Sequence, residues 1–344
     1  MPPRLTGRVL AMSVSMKRVF VRKLAVVAVS AGVVVSLAGC ANGPLNFAGC
    51  TPVYSSGSNT ELVTTPGALS ADPEAEFPTP LIASDVESTI TVEGDGEKVN
   101  AGDVATLQIT IYDAATGQQL ISTGHDSAGL RVPVTDREPH FGDIAECATV
   151  GSRIVTVGNA GDILGADNIA QNQLTLAEDD AIVMVSDVES RYPGKANGVS
   201  KPAPAGMPAI VLAPNGQPGF SFPSGDAPTK LQFAALKVGS GEKISSGDAA
   251  IMHVSGIEWG ADQTFTNSWQ DSGVPGTFLV ESTETSDGGL PPGLAEALIG
   301  QTVGSQVLVV LPPDVGFAPG TEPTGVTSGS TLVFVFDILG IQEQ

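Results

Sequence analysis

The sequence predicts an α+β chain of two tandem units, each a curled antiparallel β-sheet wrapped on a short α-helix. Three observations predict it. From Gly239 to Ile341, apolar strand patterns alternate with Gly/Pro turns around a single helix candidate. The same pattern occurs once before, at a near-constant offset. A stretch too rich in proline and glycine to build a core of its own lies between the copies.

In chain order, Met16-Lys17-Arg18 with Arg22-Lys23 form a basic start, and Leu24 to Leu37 is an uncharged run of 14 residues. That run is short for a bilayer span and suits a signal-peptide core. It ends in Leu37-Ala38-Gly39-Cys40, which is similar to a bacterial lipobox. Residues 1–39 are therefore expected to be a lipoprotein signal peptide, and Cys40 the acylated N-terminus, its two acyl chains sufficient for stable anchoring. The alternative is an ordinary signal peptide with an incidental cysteine. From Cys40 onward ten bases face 37 acids, a formal charge of −27. Such a surface repels phosphate backbones, so nucleic acid is excluded as a partner. Cys50 and Cys147 are the other two cysteines. In an oxidising compartment a disulfide between them is favoured over two buried thiols.

Residues 40–80 read as a tether and lead-in segment with a strand near Phe77 and Leu81, residues 81–190 as the first unit, and 191–228 as a linker. The linker carries eight prolines and six glycines between Tyr192 and Pro228, with Ala209-Ile210-Val211-Leu212 expected to lie as an edge strand. Residues 229–344 form the second unit. Gly94-Asp95-Gly96-Glu97-Lys98-Val99 matches Gly239-Ser240-Gly241-Glu242-Lys243-Ile244 at an offset of 145, and the register holds without a gap from there to Asp126-Ser127 against Asp271-Ser272. Val150-Gly151-Ser152 then matches Val303-Gly304-Ser305 at 153, and Asp187-Val188 matches Asp337-Ile338 at 150. Offsets that drift by a few residues place insertions in loops between preserved strands.

The ordered landmarks of the second unit are Phe265, Leu290-Pro291-Pro292-Gly293-Leu294, Leu311-Pro312-Pro313-Asp314-Val315-Gly316-Phe317 and Thr331-Leu332-Val333-Phe334. In that order they resemble the FKBP family of peptidyl-prolyl cis-trans isomerases. The resemblance implies an apolar box that grips proline, made of Phe265, Leu290, Pro291, Leu294, Phe317, Val326 and Phe334. For each of these residues alone, a place in the core is an equally good reading. Prolyl isomerisation needs no nucleophile, because the barrier of about 18–20 kcal/mol comes from amide resonance. The twisted amide is less charge-separated than the planar one, so a water-poor apolar cavity favours it.

Departures from the family pattern remove polar groups. Val254 stands in place of a tyrosine, Thr266 of an aspartate, and Gly276 of an aromatic wall residue; Phe317 lacks a tyrosine hydroxyl, and Pro291 has no N–H to donate. Weak isomerase activity is the expectation for the second unit. In the first, Leu120, Phe141, Leu164 and Met184 replace Phe265, Leu294, Phe317 and Phe334, which suits a structural or binding domain.

His125, His140 and His253 lie at no ligand spacing from one another or from cysteine, so no metal site is expected, and the chemistry requires no cofactor. His253 reads as a hydrogen-bonded structural histidine. These features together imply a lipid-anchored isomerase on the outer face of the cytoplasmic membrane, acting on proline-containing segments of unfolded exported proteins. The alternative is a non-catalytic chaperone or peptide-binding scaffold of the same fold.

Overall fold

The computed structural model describes residues 50–342, apart from 70, 126–128, 136–139, 172–173 and 285. The leader 1–39, Cys40 and the Asp126-Ser127 end of the repeat lie outside the described residues. Among those described, no helix is long and apolar enough to cross a membrane.

The first sheet contains β1 (Glu87–Val92), β2 (Val104–Asp113), β3 (Gln119–Ser122), β4 (Leu130–Pro133), β5 (Arg153–Asn159) and β6 (Ala181–Tyr192). Its order is β1-β5-β6-β2-β3, with β4 also paired to β2. After β7 (Val199–Ser200), β8 (Ala209–Leu212) and β9 (Pro218–Ser221), the second sheet is built from β10 (Gln232–Val238), β11 (Ala249–Glu258), β12 (Thr264–Asn267), β13 (Gly276–Leu279), β14 (Gln306–Leu311) and β15 (Leu332–Ile341). Its order is β12-β11-β15-β14-β10-β7, with β13 on β11. Apart from the short edge strand β7, the two sheets share one strand order, β10 taking the place of β1 and β15 that of β6. All these pairings are antiparallel.

The helices differ between the units. The first has α1 (Ala160–Leu164) and α2 (Ala166–Gln171) after β5; the second has α3 (Ser268–Asp271) and α4 (Pro292–Leu298). Only α4 occupies the expected position, directly before β14. At that position the first unit has a 3-10 turn, His140–Ala145, instead of the expected α-helix. Two physical reasons account for the difference. Pro292 presets the first turn of α4, and Leu, Ala and Glu continue it. Gly142 lies so close to β4 that a Cβ there would sit 2.1 Å from the Pro133 carbonyl oxygen, so this turn must carry glycine, a poor helix former.

Each sheet buries both faces. In the first unit one face packs against α1, α2 and the 3-10 turn through Leu107, Ile109, Ile154, Ile163 and Met184. In the second the corresponding face packs on α4 through Met252, Leu294, Leu298, Val309 and Phe336. The opposite faces are covered by chain that the sequence pattern leaves as tether and linker. Val63, Phe77 and Leu81 cover Tyr112, Val155 and Val183 of the first sheet. No strand forms near Phe77; the segment is held there by isolated contacts, such as the Leu81 N–H donating to the Ala114 carbonyl at 2.8 Å. Met207, Ile210, Phe220 and Phe222 cover Leu236, Ile257, Val333 and Val335 of the second. The Ala209–Leu212 run is thus not an edge strand of the sheet. It pairs with β9 as a separate two-stranded ribbon, and the edge is formed by β7.

A carboxylate on the last strand of each sheet fastens the covering segment. Asp187 accepts both Arg153 Nε and Nη2 at 2.7 Å, and the same guanidinium donates to the Ala68 carbonyl at 3.0 Å. Asp337 accepts the Ala196 N–H at 2.7 Å and Gln306 Nε2 at 2.7 Å, while Lys237 Nζ donates to the Ala196 carbonyl at 2.8 Å. Burial pushes the Asp337 carboxyl above its usual range, against the pull of these donors. Cys50 and Cys147 form a disulfide that ties the start of the first covering segment to the end of the 3-10 turn.

Candidate functional site

The site grows from one strand and one helix. On β15 every second side chain, Leu332, Phe334, Phe336 and Ile338, faces α4, because strand side chains alternate with period two. Leu294 and Leu298 of α4 meet this row, while Glu296 stays exposed. Phe334 is the hub. Phe265 from β12 meets it edge-on with centroids 5.6 Å apart, Phe317 from the loop after β14 tilts against it at 6.5 Å, and Phe336 stacks at 5.7 Å. Edge-to-face and offset pairs of this kind are favoured by the ring quadrupoles. Gly256 on β11 makes the meeting possible: a Cβ there would fall 2.7 Å from Phe265 and 2.9 Å from Phe334.

Of the seven residues expected to form the box, Phe265, Leu290, Leu294, Phe317, Val326 and Phe334 share this single apolar cluster. Pro291, the seventh, is buried directly before α4. Phe336 and Phe278 also belong to it, in edge contact at 6.4 Å, and were not among the expected residues. The period-two spacing of Phe334 and Phe336 in Val333-Phe334-Val335-Phe336 is the signal that points to the former. In the first unit, Leu120, Phe141, Leu164 and Met184 likewise pack into one apolar cluster.

The polar character of the site is low. Leu290 spends both backbone groups within the chain, its N–H donating to the Glu281 carbonyl at 2.7 Å and its carbonyl accepting from Thr283 N–H at 2.9 Å. Pro291 has no N–H, and its carbonyl accepts from Leu294 and Ala295. Val254 is part of the same apolar cluster. Beside Phe317 and Val326 a cavity of about 20 Å³ remains, walled further by Leu311, Leu332 and Gly316. That holds one water and not a prolyl ring. A prolyl ring entering beside Phe317 has to displace residues of the 316–327 segment. Its closed form is latched by carboxylates: Glu322 accepts the Gly320 N–H and the Ser328 hydroxyl, each at 2.6 Å, and Glu258 accepts the Thr327 N–H and the Ser330 hydroxyl.

His253 sits on the same strand as Val254 but serves the fold. Its Nδ1 is 2.7 Å from Ser268 Oγ, and its ring stacks on Trp269 at 4.4 Å. Burial holds the imidazole down at about 4. The unfolded chain takes up a proton near pH 6.5, whereas the fold requires the neutral ring. Stability from this residue is therefore complete above about 6.5 and declines as pH falls toward 4, by on the order of 3 kcal/mol in all. Urea unfolding across that range should show this decline, and His253→Gln should flatten it.

His125, in the first unit, is buried with Nε2 3.1 Å from Thr110 Oγ1 and Nδ1 3.3 Å from Asp187. Among the described residues one group has the spacing of metal ligands, Cys50, Glu146 and Cys147, and its sulfurs are joined in the disulfide.

Residues 240–339 match the family described as FKBP-type peptidyl-prolyl cis-trans isomerase. A curated relative, the chloroplastic peptidyl-prolyl cis-trans isomerase FKBP17-3 of Arabidopsis thaliana, is 26% identical over 115 residues, which is 32% of this chain and 49% of the relative. The chain thus spans about half the length of that relative. Among solved structures, the three FKBP domains of wheat FKBP73 align over 75% of this chain and 95% of that one, at 15% identity and a TM-score of 0.32. FkpA from Escherichia coli aligns over 39% of this chain and 51% of its own, at 22% identity and a TM-score of 0.28.

Proposed function

We infer that segment 240–339, which matches the family described as FKBP-type peptidyl-prolyl cis-trans isomerase, makes this chain a catalyst of X-Pro isomerisation in exported polypeptides. The observation that carries this is the convergence of Phe265, Phe317 and Phe334 over Leu290 and Leu294 in one apolar cluster. Such a surface excludes water from a bound prolyl amide and favours its twisted, less polar form. Activity is modest on this reading, because residues 290–291 offer no backbone donor and Phe317 no hydroxyl to the imide carbonyl. The ground plan is two tandem FKBP-like domains. The second is catalytic, and the first, with aliphatic residues at the equivalent positions, is structural or peptide-binding. Acylated Cys40 holds the chain on the outer face of the cytoplasmic membrane, where unfolded proline-containing segments emerge.

A second reading is favoured by the lack of hydrogen-bond donors at residues 290–291 and 317: a holdase that binds exposed apolar segments without turning the amide. The two differ in a refolding experiment on a client limited by proline isomerisation, a step of tens to hundreds of seconds when uncatalysed. The catalyst shortens the slow phase at substoichiometric concentration, and Phe265→Ala or Phe317→Ala restores it. The holdase leaves the phase unchanged and only reduces aggregation. The full chain should be used, since Met207, Ile210, Phe220 and Phe222 cover the second sheet and a fragment starting at residue 229 would lose them.

A further inference from the structure

Beside the ring cluster lies a second, larger cleft of about 440 Å³. Trp259, Thr229, Pro313, Asp314, Ser330 and Thr331 wall it. Its position is built rather than accidental. Trp259 is held by its N–H donating to the Thr331 carbonyl at 2.9 Å and by edge contact with Phe222 at 5.2 Å. The Thr331 hydroxyl donates to the Pro228 carbonyl at 3.2 Å, which fixes the wall before Thr229, and the Ser330 hydroxyl donates to Glu258 at 3.2 Å. Pro313, Gly329 and Ser330 line both this cleft and the small cavity at Phe317 and Val326. A peptide seated beside Phe317 by displacement of residues 316–327 meets this shared wall and continues toward the larger cleft.

The lining names the chemistry of what enters. Asp314 supplies a carboxylate at the exposed rim, and Trp259 a half-buried aromatic ring in the same lining. An indole together with a carboxylate accommodates the alkyl stem and cationic head of lysine or arginine. We propose that this cleft is a subsite for a residue flanking the isomerised X-Pro bond, and that it selects a basic side chain. This rests on the isomerase reading above, and it adds a substrate preference to it.

The test uses the full chain and short peptides with Lys, Ala or Glu on either side of a common Ala-Pro bond. At low ionic strength the best Lys peptide is expected to exceed its Ala counterpart about fivefold in kcat/KM, with the Glu peptide below both. Asp314→Asn should bring the Lys-to-Ala ratio close to one, and high salt should do the same. No preference at low salt, or a preference that survives Asp314→Asn, overturns the proposal while leaving the isomerase reading intact. Should the chain isomerise none of the peptides, that reading fails, and binding decides the subsite separately. The Lys peptide must then change the fluorescence of Trp259 in wild type, with the change lost in Trp259→Phe, where only the buried Trp269 remains. Wild-type emission that is indifferent to the Lys peptide overturns the subsite as well.

Discussion

Asp187→Ala is expected to destabilise the first unit by about 3–5 kcal/mol, because it leaves a fully buried guanidinium without its counter-charge. Arg153 is 0% exposed and makes its two shortest hydrogen bonds to this carboxylate. The loss should not stop at the ion pair. The same guanidinium holds the carbonyls of Gly67 and Ala68, so the segment that covers Tyr112, Val155 and Val183 loses its clasp. The double variant Arg153→Met with Asp187→Ala removes the charge along with its partner and should recover the part of the loss due to the unpaired charge, though not the bonds to Gly67 and Ala68. Urea midpoints of the two variants check this directly. If the single and double variants are equally unstable, the buried charge is not what matters there.

Phe334→Ala is expected to cost about 3–5 kcal/mol in the second unit, the usual range for deleting a buried phenyl ring that leaves a cavity. The ring is 3% exposed and touches Phe265, Phe317 and Phe336, so three partners lose contact at once. Phe334→Leu should cost distinctly less by filling part of the space. A urea unfolding series of the two variants measures the difference. Equal stability of Phe334→Ala and wild type would mean that the cluster is not organised around this ring.

The second unit is largely legible in the sequence because its determinants are local. Gly/Asp turns mark the strand ends, Pro291-Pro292 marks the start of α4, and the rings fall at fixed places between them. The strand order of the first unit follows from the repeat. What is not legible is what covers the opposite faces. Segments 50–83 and 193–222 carry little periodicity, since they attach through scattered side chains such as Leu81, Met207 and Phe220 and through backbone groups held by Arg153 and Asp337. Their effect is visible only indirectly: β2 and β15 are buried at nine of ten positions, where a one-sided sheet would alternate. The 3-10 turn in the first unit escapes for a related reason, since the obstacle at Gly142 is a strand carbonyl distant in sequence. At the site, composition supplies the aromatic set, but the closed loop over Phe317 depends on carboxylates at 258 and 322 that carry no motif.

The most direct measurement is magnetisation exchange between the cis and trans forms of an X-Pro peptide, recorded by NMR with a small fraction of the full chain present. Exchange that becomes measurable on the seconds timescale, and disappears with Phe317→Ala while the variant still unfolds cooperatively well above the assay conditions, is the predicted result. Wild-type spectra with no more exchange than the free peptide would contradict the assignment of the Phe265–Phe334–Phe317 cluster as an isomerase site.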